Sequence, residues 1–117
     1  MAHQLKRDAN YTGNKGGEAT PAERLAHLLR VDWTCPYCGA DLRTVRVAVD
    51  HVKPQYAGGK KGARNQIACC VPCNSSKQHK ALSAFAERKG DATMVKRVKR
   101  MTARKLDVAR AKRLLSE

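Results

Sequence analysis

The sequence predicts a small α+β domain, and three observations predict it. Val45, Val47 and Val49 alternate with polar or small residues, and Asn65 to Cys69 offers a short return strand, so the middle of the chain reads as an antiparallel hairpin. Capped, stripe-patterned segments on either side read as helices. Two Cys-x-x-Cys pairs, Cys35-Pro36-Tyr37-Cys38 and Cys70-Val71-Pro72-Cys73, bracket the hairpin. Four thiolates at this spacing close a tetrahedral zinc site and leave no open position for chemistry, so the zinc is structural and staples what lies between the pairs.

Composition bounds the rest. A chain of 117 residues is one domain with little room for a second core, and with aromatic residues at only 4% that core rests on Leu, Val and Ala together with the zinc. The 24 Lys and Arg outnumber the 10 Asp and Glu, and the net charge of +14 points to a polyanionic partner. DNA is the natural candidate because each phosphate that is neutralised releases counterions. The alternative is a ribosome-like or merely solvated basic surface. No apolar run approaches the length of a membrane span, and no apolar stretch follows the charged start Met1 to Arg7, so neither a membrane nor an export signal is expected. Five cysteines, an odd number, fit metal-bound thiolates in a reducing cytoplasm better than a disulfide framework. The fifth, Cys69, would need the wider Cys-x-x-x-Cys spacing to pair with Cys73, and it reads as a small buried thiol.

Taken in order, residues 1–19 form a basic arm whose Gly13-Asn14-Lys15-Gly16-Gly17 run has too little apolar surface to pack. Residues 20–90 hold the core and its leading helix. Thr20 as N-cap, Pro21 at the first helical position and Glu23 completing a capping box start a helix that runs to about Arg30, with Ala22, Leu25, Ala26, Leu28 and Leu29 on one stripe. The first knuckle ends in Gly39, which suits a tight turn. The strand at 45–49 places Asp50 and His51 just past its end, and residues 55–64 are a glycine-rich basic loop. A helix is expected from Asn74 to about Lys89 with Gly90 as its stop. Residues 91–117 are expected as one basic amphipathic helix, from about Thr93 to Leu115. Residues 92–117 contain nine Lys or Arg against Asp107 and Glu117, a local balance of +7.

Between the cysteines stands a set of residues suited to phosphodiester hydrolysis, which needs a base for water and a cation for the charge on phosphate and leaving oxygen. His51 is the only histidine beside a carboxylate at a strand end and suits the base. Asp50 is a hard oxygen ligand, and Asn74 supplies a second oxygen, a pair that leaves most positions on Mg²⁺ for water and phosphate. Taken singly, Asp50-His51 is a polar strand end, Asn65 a turn residue and Asn74 an N-cap; only their joint order reverses that reading. In a helix opened by Asn74, Lys77 lies about 60° from Asn74 and His79 about 140° away, so Lys77 is the better phosphate contact, or else a solvated lysine. Lys53, Lys60, Lys61 and Arg64 either grip a nucleic-acid backbone or solvate their loop.

The series Cys35-Pro36-Tyr37-Cys38-Gly39, Val49-Asp50-His51-Val52-Lys53-Pro54, Gly58-Gly59, Asn65 and Cys70-Val71-Pro72-Cys73-Asn74-Ser75-Ser76-Lys77 resembles the HNH endonucleases. These are the ββα-metal nucleases, here in the zinc-stapled form found in phage and restriction systems. The resemblance covers residues 33 to about 80. It implies a ββα-metal core, with His51 as the base, Asn65 as the middle residue that orients the histidine and ties the loop to the hairpin, and Asp50 as the metal ligand before the histidine. Asn74 stands where the last histidine of the motif would be, a departure that makes the chain an HNN variant and leaves Mg²⁺ or Mn²⁺ as the catalytic ion. DNA cleavage, by nicking or double-strand cutting, would leave 5′-phosphate and 3′-hydroxyl ends. Protein partners from phage packaging or restriction machinery are compatible with it, although no residue indicates them. The rival function is a non-catalytic zinc-ribbon module that binds nucleic acid.

Overall fold

Thr20 opens the first helix as its sequence predicts. Its hydroxyl accepts from the Glu23 amide at 3.1 Å while the Glu23 carboxylate accepts from the Thr20 amide at 3.2 Å, and helix α1 runs Pro21–Arg30. The computed structural model describes residues 19–54 and 62–117. After α1 come strand β1 (Val47–His51), a short 3₁₀ turn (Ala63–Asn65), strand β2 (Gln66–Cys70) and four helices: α2 (Val71–Lys77), α3 (Leu82–Lys89), α4 (Met94–Ala103) and α5 (Val108–Leu115). The expected arm at 1–19 and most of the loop at 55–64 lie outside the described residues, with Ala19 and residues 62–64 the exceptions.

The two strands pair antiparallel in the register Val47↔Cys70, Val49↔Ala68 and His51↔Gln66. The ladder therefore sits two residues later than the valine alternation predicts: Val45 precedes it, and Asp50 and His51 belong to the strand. The partner sets this register, because β2 begins at Gln66 and so reaches as far as His51. Both faces of β1 are covered, with Val47, Ala48, Val49 and Asp50 all buried.

Two expected helices are each broken in two. The helix expected at 74–89 starts three residues earlier, with Cys70 as N-cap and Pro72 in the first turn, where a missing N–H costs nothing. It stops at Gln78, whose φ of +51° turns the chain before α3 begins. Asn74 is thus inside α2, not at its start, and it has no free helix N-terminus around it. Gly90 does end α3, in the left-handed conformation at φ +66°. The C-terminal helix breaks at the extended Arg104, and Asp107 caps α5 by accepting from the Arg110 amide at 2.9 Å. The break lets α5 fold back on α1.

Met94, Val98, Met101 and Ala111 from α4 and α5 join Leu25, Leu28, Ile67 and Phe85 in one core. Buried Arg30 secures this arrangement. Its guanidinium donates to the carbonyls of Met101 (3.1 Å) and Thr102 (2.8 Å) in the last turn of α4 and to Ala63 of the 3₁₀ turn (2.9 Å). Neighbouring His27 is a core residue: burial, and then Arg30, pushes its pKa down to about 4, so it packs as the neutral ring. Among the described residues no helix is long and apolar enough to cross a membrane.

Candidate metal centre and hydrolytic site

Cys35, Cys38, Cys70 and Cys73 bring their sulfurs within 4.8 Å of one another, and Cys38 Sγ lies 3.7 Å from Cys70 Sγ. A tetrahedron of Zn–S bonds of about 2.3 Å has edges of about 3.8 Å, so the cluster fits zinc. The first knuckle is closed by the Gly39 amide on the Cys35 carbonyl (2.8 Å) and the Cys35 amide on Ala40 (2.8 Å), with Gly39 at φ +81°. The Cys70 amide donates to Cys35 Sγ at 3.4 Å, a bond that favours a thiolate there. Burial above all, then the neighbouring sulfurs, raises the Cys73 thiol and lifts Cys35 to about 11. Crowded thiolates, three of the four buried, are costly until a dication neutralises them, and such a cluster could hold a metal ion such as zinc. Cys69 is fully buried opposite Ala48 and takes no part in it.

The hydrolytic candidates gather where β1 ends against α2. Asp50 is 5% exposed, and its Oδ2 accepts from the Tyr37 hydroxyl at 2.6 Å and from Lys77 Nζ at 2.9 Å. Lys77 Nζ also donates to the His51 carbonyl at 3.0 Å. His51 and Asn74 are half-buried, so both remain open on one side. Asn65 clamps the strand exit: its Oδ1 accepts from the Lys53 amide (2.8 Å), its Nδ2 donates to the Lys53 carbonyl (2.9 Å), and its own carbonyl accepts from the Val52 amide (2.9 Å). The loop is thereby tied to the hairpin two residues beyond His51.

Lys77 does not fit the phosphate contact that its helical position predicts. The side chain is completely buried, and its ammonium is engaged by Asp50 and the His51 carbonyl. Helical spacing gives the angle from Asn74 but not the neighbour on that face, which is the Asp50 carboxylate. The structure adds Tyr37 to the site, a residue whose position inside a metal knuckle gives no hint of a polar role.

Other basic residues divide by their partners. Lys53 and Arg64 are exposed at the hairpin end, while Lys60 and Lys61 lie outside the described residues, as do Gly58 and Gly59. On α4, Arg97 donates to the Pro36 carbonyl (2.7 Å) and pairs with Asp91 (2.6 Å), while just beyond the helix Arg104 pairs with Asp32 (2.9 Å) and donates to the Arg30 carbonyl (2.9 Å). These two arginines hold the fold together. Lys96, Lys99 and Arg100 are exposed and form the outward basic face of α4.

Three comparisons place this arrangement. No curated protein sequence matches the chain significantly. Among solved structures, the crystal structure of the Type II-C Cas9 enzyme from Actinomyces naeslundii matches with a TM-score of 0.55 and 22% identity, over 95% of this chain and 13% of that one. At that identity the likeness is one of fold, and the chain spans about an eighth of the larger enzyme. The sequence profile described as HNH endonuclease matches residues 35–89, the stretch that runs from the first knuckle through the hairpin and α2 to the end of α3. A hairpin packed on a helix, with four clustered cysteines and the Asp-His pair at the strand end, has the architecture of a ββα-metal core, and over residues 35–89 the chain is similar to the HNH endonucleases.

Proposed function

We propose that the protein is a metal-dependent endonuclease that hydrolyses DNA phosphodiester bonds. The observation that carries this reading is the convergence of β1 and α2, which sets Asp50 and His51 beside the helix that bears Asn74 and bonds the two elements through Lys77. His51 would take the proton from the water whose oxygen bonds to phosphorus, and as the P–O3′ bond breaks the leaving O3′ would take a proton from solvent water. The Asn65 clamp holds the strand exit so that the imidazole has a fixed origin. Asp50 and Asn74 would hold the divalent ion, Mg²⁺ or Mn²⁺. The donor chemistry fits: with Oδ2 engaged by Tyr37 and Lys77, Oδ1 is the Asp50 oxygen without a hydrogen bond among the described residues, and an amide oxygen completes a hard pair. Such an ion, when bound, neutralises the charge that builds on phosphate and leaving oxygen.

Nicking of supercoiled plasmid in Mg²⁺ or Mn²⁺ tests this reading against a zinc-ribbon module that only binds. His51→Ala is expected to lower cleavage by about 10²- to 10⁴-fold, the usual contribution of a general base, with zinc content and DNA affinity unchanged. Cleavage by His51→Ala at the wild-type rate would sink it.

Affinity is expected to come in part from the outward face of α4. Replacing Lys96, Lys99 and Arg100 with Gln should weaken binding on all sequences alike and flatten the salt dependence by up to about 0.9 for each phosphate that is no longer neutralised. Arg97 and Arg104 are left out of this set because they are ion-paired within the fold. An unchanged slope would move DNA to the hairpin end at Lys53 and Arg64.

A further inference from the structure

We propose that Tyr37 is a positioning residue for Asp50, through which the zinc knuckle sets the geometry of the hydrolytic site. The inference rests on the reading of Asp50 as a ligand of the divalent ion. Tyr37 lies between the two cysteines of the first knuckle, so its backbone is fixed by the zinc cluster and by the knuckle's own turn bonds. The preceding residue is fixed as well, since the Pro36 carbonyl accepts from Arg97 at 2.7 Å. The ring is 3% exposed and meets Phe85 edge to face, with centroids 5.3 Å apart and planes at 85°. With backbone and ring both held, the hydroxyl has one place to go, and it donates to Asp50 Oδ2 at 2.6 Å.

A phenylalanine would fill the same apolar space. The hydroxyl adds a polar atom that must find a partner once buried, and the partner is the one carboxylate at the site. Tyr37 and Lys77 converge on the same oxygen from different elements, the knuckle and α2, so Asp50 cannot rotate without breaking one of the two bonds. Groups that orient a metal ligand from behind in this way change metal affinity or activity by about 10- to 100-fold when removed.

The test is Mn²⁺ titration of the zinc-loaded, full-length protein, with free Mn²⁺ read by electron paramagnetic resonance and zinc content and melting followed alongside. Tyr37→Phe is expected to stay folded with its zinc and to bind Mn²⁺ about tenfold more weakly, and plasmid nicking that fails at low Mn²⁺ should return as Mn²⁺ is raised. Asp50→Ala should abolish the site, and so should Asp50→Ala combined with Lys77→Met, which leaves no buried charge unpaired and keeps the comparison on folded protein. If Asp50→Ala abolishes it while Tyr37→Phe binds Mn²⁺ like the wild type, the positioning role is wrong and the metal reading stands. If Asp50→Ala binds Mn²⁺ unchanged, the metal reading fails and the proposal falls with it. Loss of zinc or of the folded state in Tyr37→Phe would assign the hydroxyl to folding and would also overturn the proposal.

Discussion

Replacing any one of Cys35, Cys38, Cys70 or Cys73 with serine is expected to unfold the protein, and a strong chelator should do the same to the wild type. The four sulfurs come from the turn after α1, the end of β2 and the first turn of α2, so a single ion held by them would tie those three places together. Zinc binding in small domains is worth about 10–16 kcal/mol, whereas the whole stability of a domain is about 5–15 kcal/mol, so loss of a ligand removes as much as the fold can spare. Cys69 offers the internal control. It sits one residue from Cys70 on the opposite face of β2, fully buried, and Cys69→Ser should keep its zinc. Circular dichroism and zinc analysis of the five variants decide the matter. Zinc retained by Cys70→Ser and lost by Cys69→Ser would exchange the two assignments.

Those ligands are legible in the sequence because Cys-x-x-Cys spacing is local: a knuckle turn joins residues three apart, and two knuckles suffice. The cap of α1 is legible for the same reason, since Thr20, Pro21 and Glu23 act within one turn. What sequence does not reveal is long-range. No glycine or proline marks Gln78 or Arg104 as a stop, yet both are breaks. The first ends α2, whose first turn carries Cys73 into the cysteine cluster, and the second precedes α5, which packs back onto α1. Arg97 and Arg104 read as members of a basic face because their partners, the Pro36 carbonyl and Asp32, are 61 and 72 residues away. Around the proposed site the adjacency of Asp50 and His51 is read directly from the sequence, whereas the enclosure of Asp50 by Tyr37 and Lys77 is not, because it depends on three separate elements meeting.

That enclosure makes Lys77 a position where a single substitution is expected to cost stability. The pair it forms with Asp50 is buried on both sides, with side chains 0% and 5% exposed, unlike the solvent-facing pair Arg43–Asp41. A surface pair contributes about 0–1 kcal/mol, but removing one member of a buried pair leaves the other charge without compensation and costs about 3–5 kcal/mol. Lys77→Met keeps the volume and removes the ammonium, so it is expected to lower the melting temperature by about ten degrees or more, at about 4–8 °C per kcal/mol for a domain near this size. Two companion measurements give the result its meaning. Lys77→Met combined with Asp50→Asn removes both charges and should recover much of the stability, which a packing defect would not allow. Added Mn²⁺ should raise the melting temperature of Lys77→Met more than that of the wild type, because a cation bound at Asp50 then replaces the missing charge instead of adding to Lys77. Wild-type melting in Lys77→Met would show that the ammonium does no more than a solvated lysine. An equal Mn²⁺ shift in both proteins would separate Lys77 from the metal and leave it a structural counter-ion of Asp50.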